Sequence, residues 1–175
     1  RGDSPDGKFQ AHPSGFSNTA DFVEYLVSFG LEVVVSAYPE PHPDSEGFDF
    51  DLKLLEEKTF AGSNQCISQF CFAEKDYKKL IDQISKRKIN NELTAGIMPI
   101  YDINSLCKMA KRCGIHVPVE VVEQFSDDEI QNEQAAINIC KKQIKDLQNM
   151  GIDKFHFYTL NQSSLLLKIL DELSF

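Results

Sequence analysis

The chain has 175 residues, 42% of them hydrophobic and 26% charged, with a net charge of −9 at pH 7. Such a composition can bury a core and excludes a disordered chain, while the acidic balance leaves no basic face to displace counterions from nucleic acid. No apolar run reaches the ~18 residues that a membrane span takes.

In chain order, a first helix is expected over Thr19 to Phe29, with Phe22, Leu26 and Phe29 on one stripe. A strand follows at Leu31 to Tyr38, then a helix at Asp49 to Phe60 carrying Leu52, Leu54 and Leu55. The next pair is a strand at Cys66 to Phe72 and a helix at Lys75 to Lys86 carrying Leu80, Ile81 and Ile84. A third strand at Leu93 to Met98 precedes a helix at Ile103 to Cys113, with Leu106, Met109 and Ala110 inward and Gly114 as its stop. Ser126-Asp-Asp-Glu129 reads as a capping box for a long helix, whose apolar positions are Ile130, Ile137, Cys140, Ile144 and Leu147, and Gly151 ends it. A fourth strand at Lys154 to Leu160 leads into a last helix from about Gln162 to Leu173, capped by Asn161.

Strand and helix alternate, which predicts a parallel sheet with covering helices. A doubly wound nucleotide fold would carry a Gly-rich phosphate loop after its first strand, and neither G-x-G-x-x-G nor G-x-x-x-x-G-K-[ST] occurs. Four strands cannot close a barrel. The polar, turn-like start Arg1 to Gly7 is not Met and has no leader character, so a fragment or a processed product is expected. The five cysteines are odd in number with no C-x-x-C spacing. They predict a reduced, cytoplasmic protein with neither a disulfide framework nor a zinc site.

In parallel α/β proteins chemistry sits where strands run into the following loops. That rule singles out Arg1-Gly2-Asp3, the loop from Tyr38 to Ser45, Ser68-Gln69-Phe70, Gly96 to Pro99 and Tyr158 to Asn161. Residue chemistry leaves two readings open at several of these. Asp3 can cap a turn, and His42 can be an exposed loop histidine. Gln69 is harder to dismiss, because a buried amide costs about 1–3 kcal/mol unless it is hydrogen-bonded.

Taken together, Arg1-Gly2-Asp3, Ala37-Tyr38-Pro39-Glu40-Pro41-His42-Pro43, Asp51 to Lys58, Ser68-Gln69-Phe70, Gly96-Ile97-Met98-Pro99 and His156-Phe157-Tyr158-Thr159-Leu160-Asn161 resemble the methylenetetrahydrofolate reductase family in order and spacing. The resemblance implies a (β/α)8 barrel. Residues 1–175 would form a partial catalytic domain, from the end of strand 4 through helix 8, lacking the N-terminal strands. A full barrel takes ~250 residues, so ~75 or more would stand outside the chain. It also implies FAD as cofactor and NADH or NADPH as hydride donor. The reaction would reduce 5,10-methylenetetrahydrofolate to 5-methyltetrahydrofolate, in one-carbon and methionine metabolism. Asp3 would be catalytic, beside both flavin and folate, favouring positive charge on an iminium-like folate. Arg1, Gly2, Asp3, Tyr38, His42, Asp51 and Lys58 would hold the cofactor, and Asp3, Gln69 and Tyr158 the substrate. Family members form dimers or tetramers, which implies a homo-oligomer. No metal, nucleic acid or membrane is implied.

The sequence also departs from the family. The general-acid glutamate belongs to a strand that this chain lacks. Gln162 stands where an arginine is usual, Asn18 where a tyrosine is common, and Ser105 where a folate-contacting glutamine often stands; Met109 takes the position that can stack on the dinucleotide. These departures predict weakened folate affinity, and with the truncation they predict that the 175 residues alone are inactive. They also motivate an alternative, a degenerate flavin- or folate-binding paralogue. Arg1-Gly2-Asp3-Ser4-Pro5 spells an integrin-binding tripeptide with its common flank, a weak signal in a chain of 175 residues.

Overall fold

The computed structural model describes residues 12–173. The elements are α1 (Thr19–Ser28), β1 (Val34–Ala37), α2 (Phe48–Phe60), β2 (Gln65–Ser68), α3 (Glu74–Lys86), β3 (Glu92–Ile97), α4 (Ile103–Cys113), α5 (Val119–Val122), α6 (Glu129–Asn149), β4 (Phe155–Phe157) and α7 (Ser164–Leu173). The expected alternation is present. β1, β2 and β4 are shorter than their expected runs, while β3 keeps its six residues shifted back by one. The one-turn α5, opened by Pro118, has no counterpart in the expectations. No helix among the described residues is long and apolar enough to cross a membrane.

All four strands are parallel and lie in the order β1-β2-β3-β4. The register sets Val35 beside Cys66 and Cys66 beside Leu93. Side chains alternate in burial along β1 and β2, with Val35, Ala37, Cys66 and Ser68 buried. The helices cover that face. One buried cluster joins α1, α2, β1 and β2 through Val23, Leu52, Leu55, Val35 and Cys66. A larger one joins β3, α3, α4, α6 and α7 through Ala95, Ile97, Tyr77, Leu106, Ile144 and Ile169.

Three local expectations are corrected. On α1, Val23 is the buried residue, while Phe22 and Phe29 are 43% and 66% exposed. Their rings stack along the surface instead: Phe16 lies 5.1 Å from Phe22 and 5.2 Å from Tyr25, and Tyr25 lies 4.9 Å from Phe29. The long helix is capped by Asp128, whose Oδ1 accepts from the amides of Ile130 and Gln131. Ser126 is held in the preceding loop, because the Asn132 side chain bonds both its N–H and its C=O. Ile130, read as a core position, is 83% exposed. Finally, α7 begins at Ser164, and Asn161 is no cap, because Leu160 and Asn161 both adopt left-handed backbone with φ of 49° and 63°. Gly114 does end α4, at φ 70°.

Two substitutions test this packing. Asp128→Ala is expected to cost about 1 kcal/mol in urea unfolding, and Ser126→Ala clearly less. At Gly96 a Cβ would overlap the Ser68 carbonyl oxygen and come within 2.8 Å of the Tyr158 ring. Gly96→Ala is therefore expected to lower stability by ~1–3 kcal/mol, read as a reduced urea midpoint.

Candidate functional site

A cleft of about 610 Å³ opens between the start of α1, the end of β1, the following loop and α2. Tyr38, His42, Asp51 and Lys58 all line it, together with Ser36 and the aromatic pair Phe16 and Phe22. The loop between Tyr38 and Gly47 is fixed from beneath. Pro39 is fully buried, and Glu40 accepts through Oε1 from the His116 amide at 2.8 Å, tying the loop to the segment after α4. Asp51, in the first turn of α2 where the helix dipole favours a carboxylate, accepts from the His42 amide at 2.8 Å. His42 Nδ1 accepts from the Asp44 amide at 3.1 Å, so the neutral ring carries its proton on Nε2. The Tyr38 and His42 rings meet edge to face at 5.3 Å.

Lys58, in the last turn of α2, is buried at 6% exposure. Its Nζ donates to the Ser36 carbonyl at 2.7 Å and lies 3.5 Å from Ser36 Oγ. Neither partner is an anion, and no carboxylate lies within ion-pair distance of Nζ among the described residues. Burial pushes the ammonium below its ordinary pKa, while Cys66 and Asp51 push it back upward. A buried cation in such surroundings suits an anionic group entering the cleft.

A second group stands at the strand ends. Tyr38, Gln69 and Tyr158 each lie one residue beyond the last residue of β1, β2 and β4. Gln69 donates its amide to the Ala37 carbonyl at 2.9 Å, and its side-chain Oε1 accepts from the Phe70 amide at 3.1 Å. Among the described residues no hydrogen bond is made by its Nε2. Tyr158 donates to the Ser68 carbonyl at 3.0 Å, and its ring lies 4.7 Å from His156 and 6.2 Å from Phe70. Burial raises the Tyr158 phenol, and Tyr38 adds to the rise, which ties this group to the cleft wall.

Residues 1–174 match the family model described as methylenetetrahydrofolate reductase. The chain belongs to the methylenetetrahydrofolate reductase family. It is 33% identical over 172 residues to a 5,10-methylenetetrahydrofolate reductase of Buchnera aphidicola (from Schizaphis graminum), covering 97% of this chain and 58% of that protein. It is 31% identical over 169 residues to the Escherichia coli K12 protein of the same name, covering 94% of this chain and 56% of that one. A rice protein named probable methylenetetrahydrofolate reductase (NADH) is 29% identical over 187 residues, covering 97% of this chain and 32% of its own length. The chain thus spans just over half the length of these bacterial relatives.

Of the residues that the family resemblance singled out, Tyr38, His42, Asp51 and Lys58 come together in one cleft, and Gln69 and Tyr158 meet at the strand ends. Arg1, Gly2 and Asp3 lie outside the described residues. The family departures have local roles. Asn18 caps α1, its Oδ1 accepting from the Asp21 amide at 2.8 Å. Ser105 gives its amide to the α4 cap Asp102, and the Gln162 carbonyl accepts from the Tyr101 hydroxyl. Reading the sequence missed Ser36, Phe16 and Phe22 as lining residues. Ser36 alternates with the buried Val35 and Ala37, a signal that period-two patterning could have used. Phe22 reads as part of the apolar stripe of α1, and Phe16 falls in the loose stretch before that helix.

Lys58 gives a pH prediction. Its folded pKa lies below the ordinary 10.5, so between the lowered value and 10.5 the unfolded chain binds more protons and stability rises with pH. Below that window the full penalty applies. Urea midpoints of Lys58→Met are expected to exceed those of the native chain at pH 7 and to lose most of the rise toward pH 10.5.

Proposed function

We propose that this chain is the C-terminal part of the catalytic barrel of a methylenetetrahydrofolate reductase. The parent enzyme uses NADH or NADPH and FAD to reduce 5,10-methylenetetrahydrofolate to 5-methyltetrahydrofolate in one-carbon and methionine metabolism. Residues 1–175 form a partial domain running from the end of strand 4 through helix 8 of a (β/α)8 barrel. The sheet order supports that architecture. It runs from β1 to β4 without reversal, and parallel crossovers are almost always right-handed, so successive helices fall on one face, as the helices of a barrel do. The parent protein acts in the cytoplasm, in keeping with its buried cysteines, and assembles with copies of itself.

The observation that carries the reading is the convergence of Tyr38, His42, Asp51 and Lys58, spread over 21 positions, on one cleft, where the buried Lys58 ammonium meets no carboxylate within ion-pair distance among the described residues. FAD, when bound, supplies the redox chemistry that links nicotinamide to folate. Lys58 would hold a phosphate as a point charge. Tyr38 and His42 would wall the cleft, and Asp51 would keep the His42 loop in place. Gln69 would orient the pterin through its Nε2, with Tyr158 beside it. Arg1 and Gly2 would complete the flavin wall, and Asp3 would favour positive charge on the folate.

The test is expression of the chain joined to the N-terminal strands that the reading requires. The product is expected to purify yellow, to oxidise NADH or NADPH with a quinone acceptor, and to reduce methylenetetrahydrofolate. Lys58→Met is expected to weaken FAD binding about tenfold, the loss of one charge-assisted contact. A folded but colourless product would overturn the reading. A yellow product without turnover would favour the non-catalytic paralogue, the outcome that Gln162 and Asn18 would favour.

A further inference from the structure

β2 and β3 part company at Gly96. Their register runs from Gln65↔Glu92 to Ile67↔Thr94, and beyond it the next ladder bonds are replaced by side chains. The Gly96 amide donates to Ser68 Oγ at 2.8 Å instead of to a strand carbonyl. Ser68 Oγ stands 2.9 Å from the Tyr77 hydroxyl, which stands 2.7 Å from the Gly96 carbonyl. One arrangement of protons satisfies every group: Gly96 N–H to Ser68 Oγ, Ser68 O–H to Tyr77 Oη, and Tyr77 O–H to Gly96 O. The three bonds form a closed ring around one glycine, and both side chains are buried.

The ring bears directly on Gln69. The Tyr77 hydroxyl also lies 3.4 Å from the Gln69 carbonyl, and the Ser68 carbonyl, released from the ladder, takes the bond from Tyr158. The Gln69 amide is handed to β1 through Ala37. Gln69 is therefore held on one side by the β1 ladder, through its amide, and on the other by Tyr77 and Tyr158, which reach the carbonyls of Gln69 and Ser68 where the β2–β3 ladder has ended. Burial keeps the Tyr77 phenol protonated, so its donor role persists at any ordinary pH.

We propose that Ser68 and Tyr77 are positioning residues that set where the Gln69 carboxamide meets the substrate. The inference rests on the reading of Gln69 as a folate contact. Neither hydroxyl touches the ligand. Their effect is to fix the backbone from which Gln69 projects, so that its Nε2 donors are pre-aimed rather than ordered on binding.

The test uses the chain joined to the N-terminal strands that the proposed function requires, 15N-labelled, with the Gln69 side-chain amide pair identified by its loss in Gln69→Leu. In the native chain this pair is expected to sit away from the free-glutamine position. Tyr77→Phe and Ser68→Ala are each expected to move it toward that position, while Ser68→Thr, which keeps the hydroxyl, leaves it in place. In titrations with 5-methyltetrahydrofolate, Tyr77→Phe is expected to raise Kd about tenfold while FAD quenching is unchanged. The proposal is overturned if the pair is unmoved in both folded variants, or if folate and FAD weaken equally. If Tyr77→Phe does not fold, Ser68→Ala against Ser68→Thr decides the matter. If folate leaves the Gln69 signals of the native chain unmoved, the folate reading of Gln69 fails, and the ligand-free spectra of the variants still judge the positioning role.

Discussion

Parallel strands can run close together through their middles, but they must spread at one end if a ligand is to reach the residues that follow them. Here the spreading is fixed at Gly96. The absent side chain lets the Ser68 carbonyl and the Tyr158 ring close over the backbone. The two hydroxyls of Ser68 and Tyr77 then satisfy the amide and carbonyl that the ladder gives up. Leaving either group buried and unbonded would cost about 1–3 kcal/mol. The Ser68 carbonyl freed there accepts from Tyr158, and Tyr38, Gln69 and Tyr158 are each the first residue past their strands.

The cleft on the other side of Tyr38 shows the opposite economy. Its wall is held by hydrogen bonds from the His116 amide to Glu40 and from the His42 amide to Asp51. Its floor contains a cation that the described chain does not neutralise. A buried ammonium that donates to a carbonyl and meets no carboxylate within ion-pair distance among the described residues weakens the fold, and such a cost is characteristic of a group kept for binding rather than for stability.

Much of this was legible in the sequence. The bounds of α4 agree residue for residue with expectation, because an apolar stripe at helical spacing and a left-handed glycine mark both its face and its end. Gln69 stood out as an amide in an apolar run. What escaped was tertiary. The stripe Phe22, Leu26 and Phe29 has helical period, but α1 packs mainly on α2 through Val23 and Val27, so the aromatic rings turn outward and stack on one another. The cap of α6 moved from Ser126 to Asp128 because Asn132 had already claimed the serine's backbone. Tyr77 stands one turn before the Leu80, Ile81 and Ile84 stripe of α3, and nothing in its local sequence announces that its hydroxyl reaches a glycine on β3.

The packing also governs the chemistry of the sulfur atoms. Cys66 sits fully buried in one cluster, and Cys71 and Cys140 sit in the other. Burial pushes the Cys66 thiol up to about 12, although the neighbouring Lys58 ammonium acts the other way, and pushes Cys140 up to about 12 as well. At neutral pH the reactive thiolate of each is on the order of one part in 10⁵. Alkylating reagents therefore meet these sulfurs only when the surrounding helices lift away. The rate at which Cys66 is labelled times the opening of α1 and α2 from β1 and β2, and the rate at Cys140 times the opening of α6, so the chain carries its own clocks for the two halves of its core.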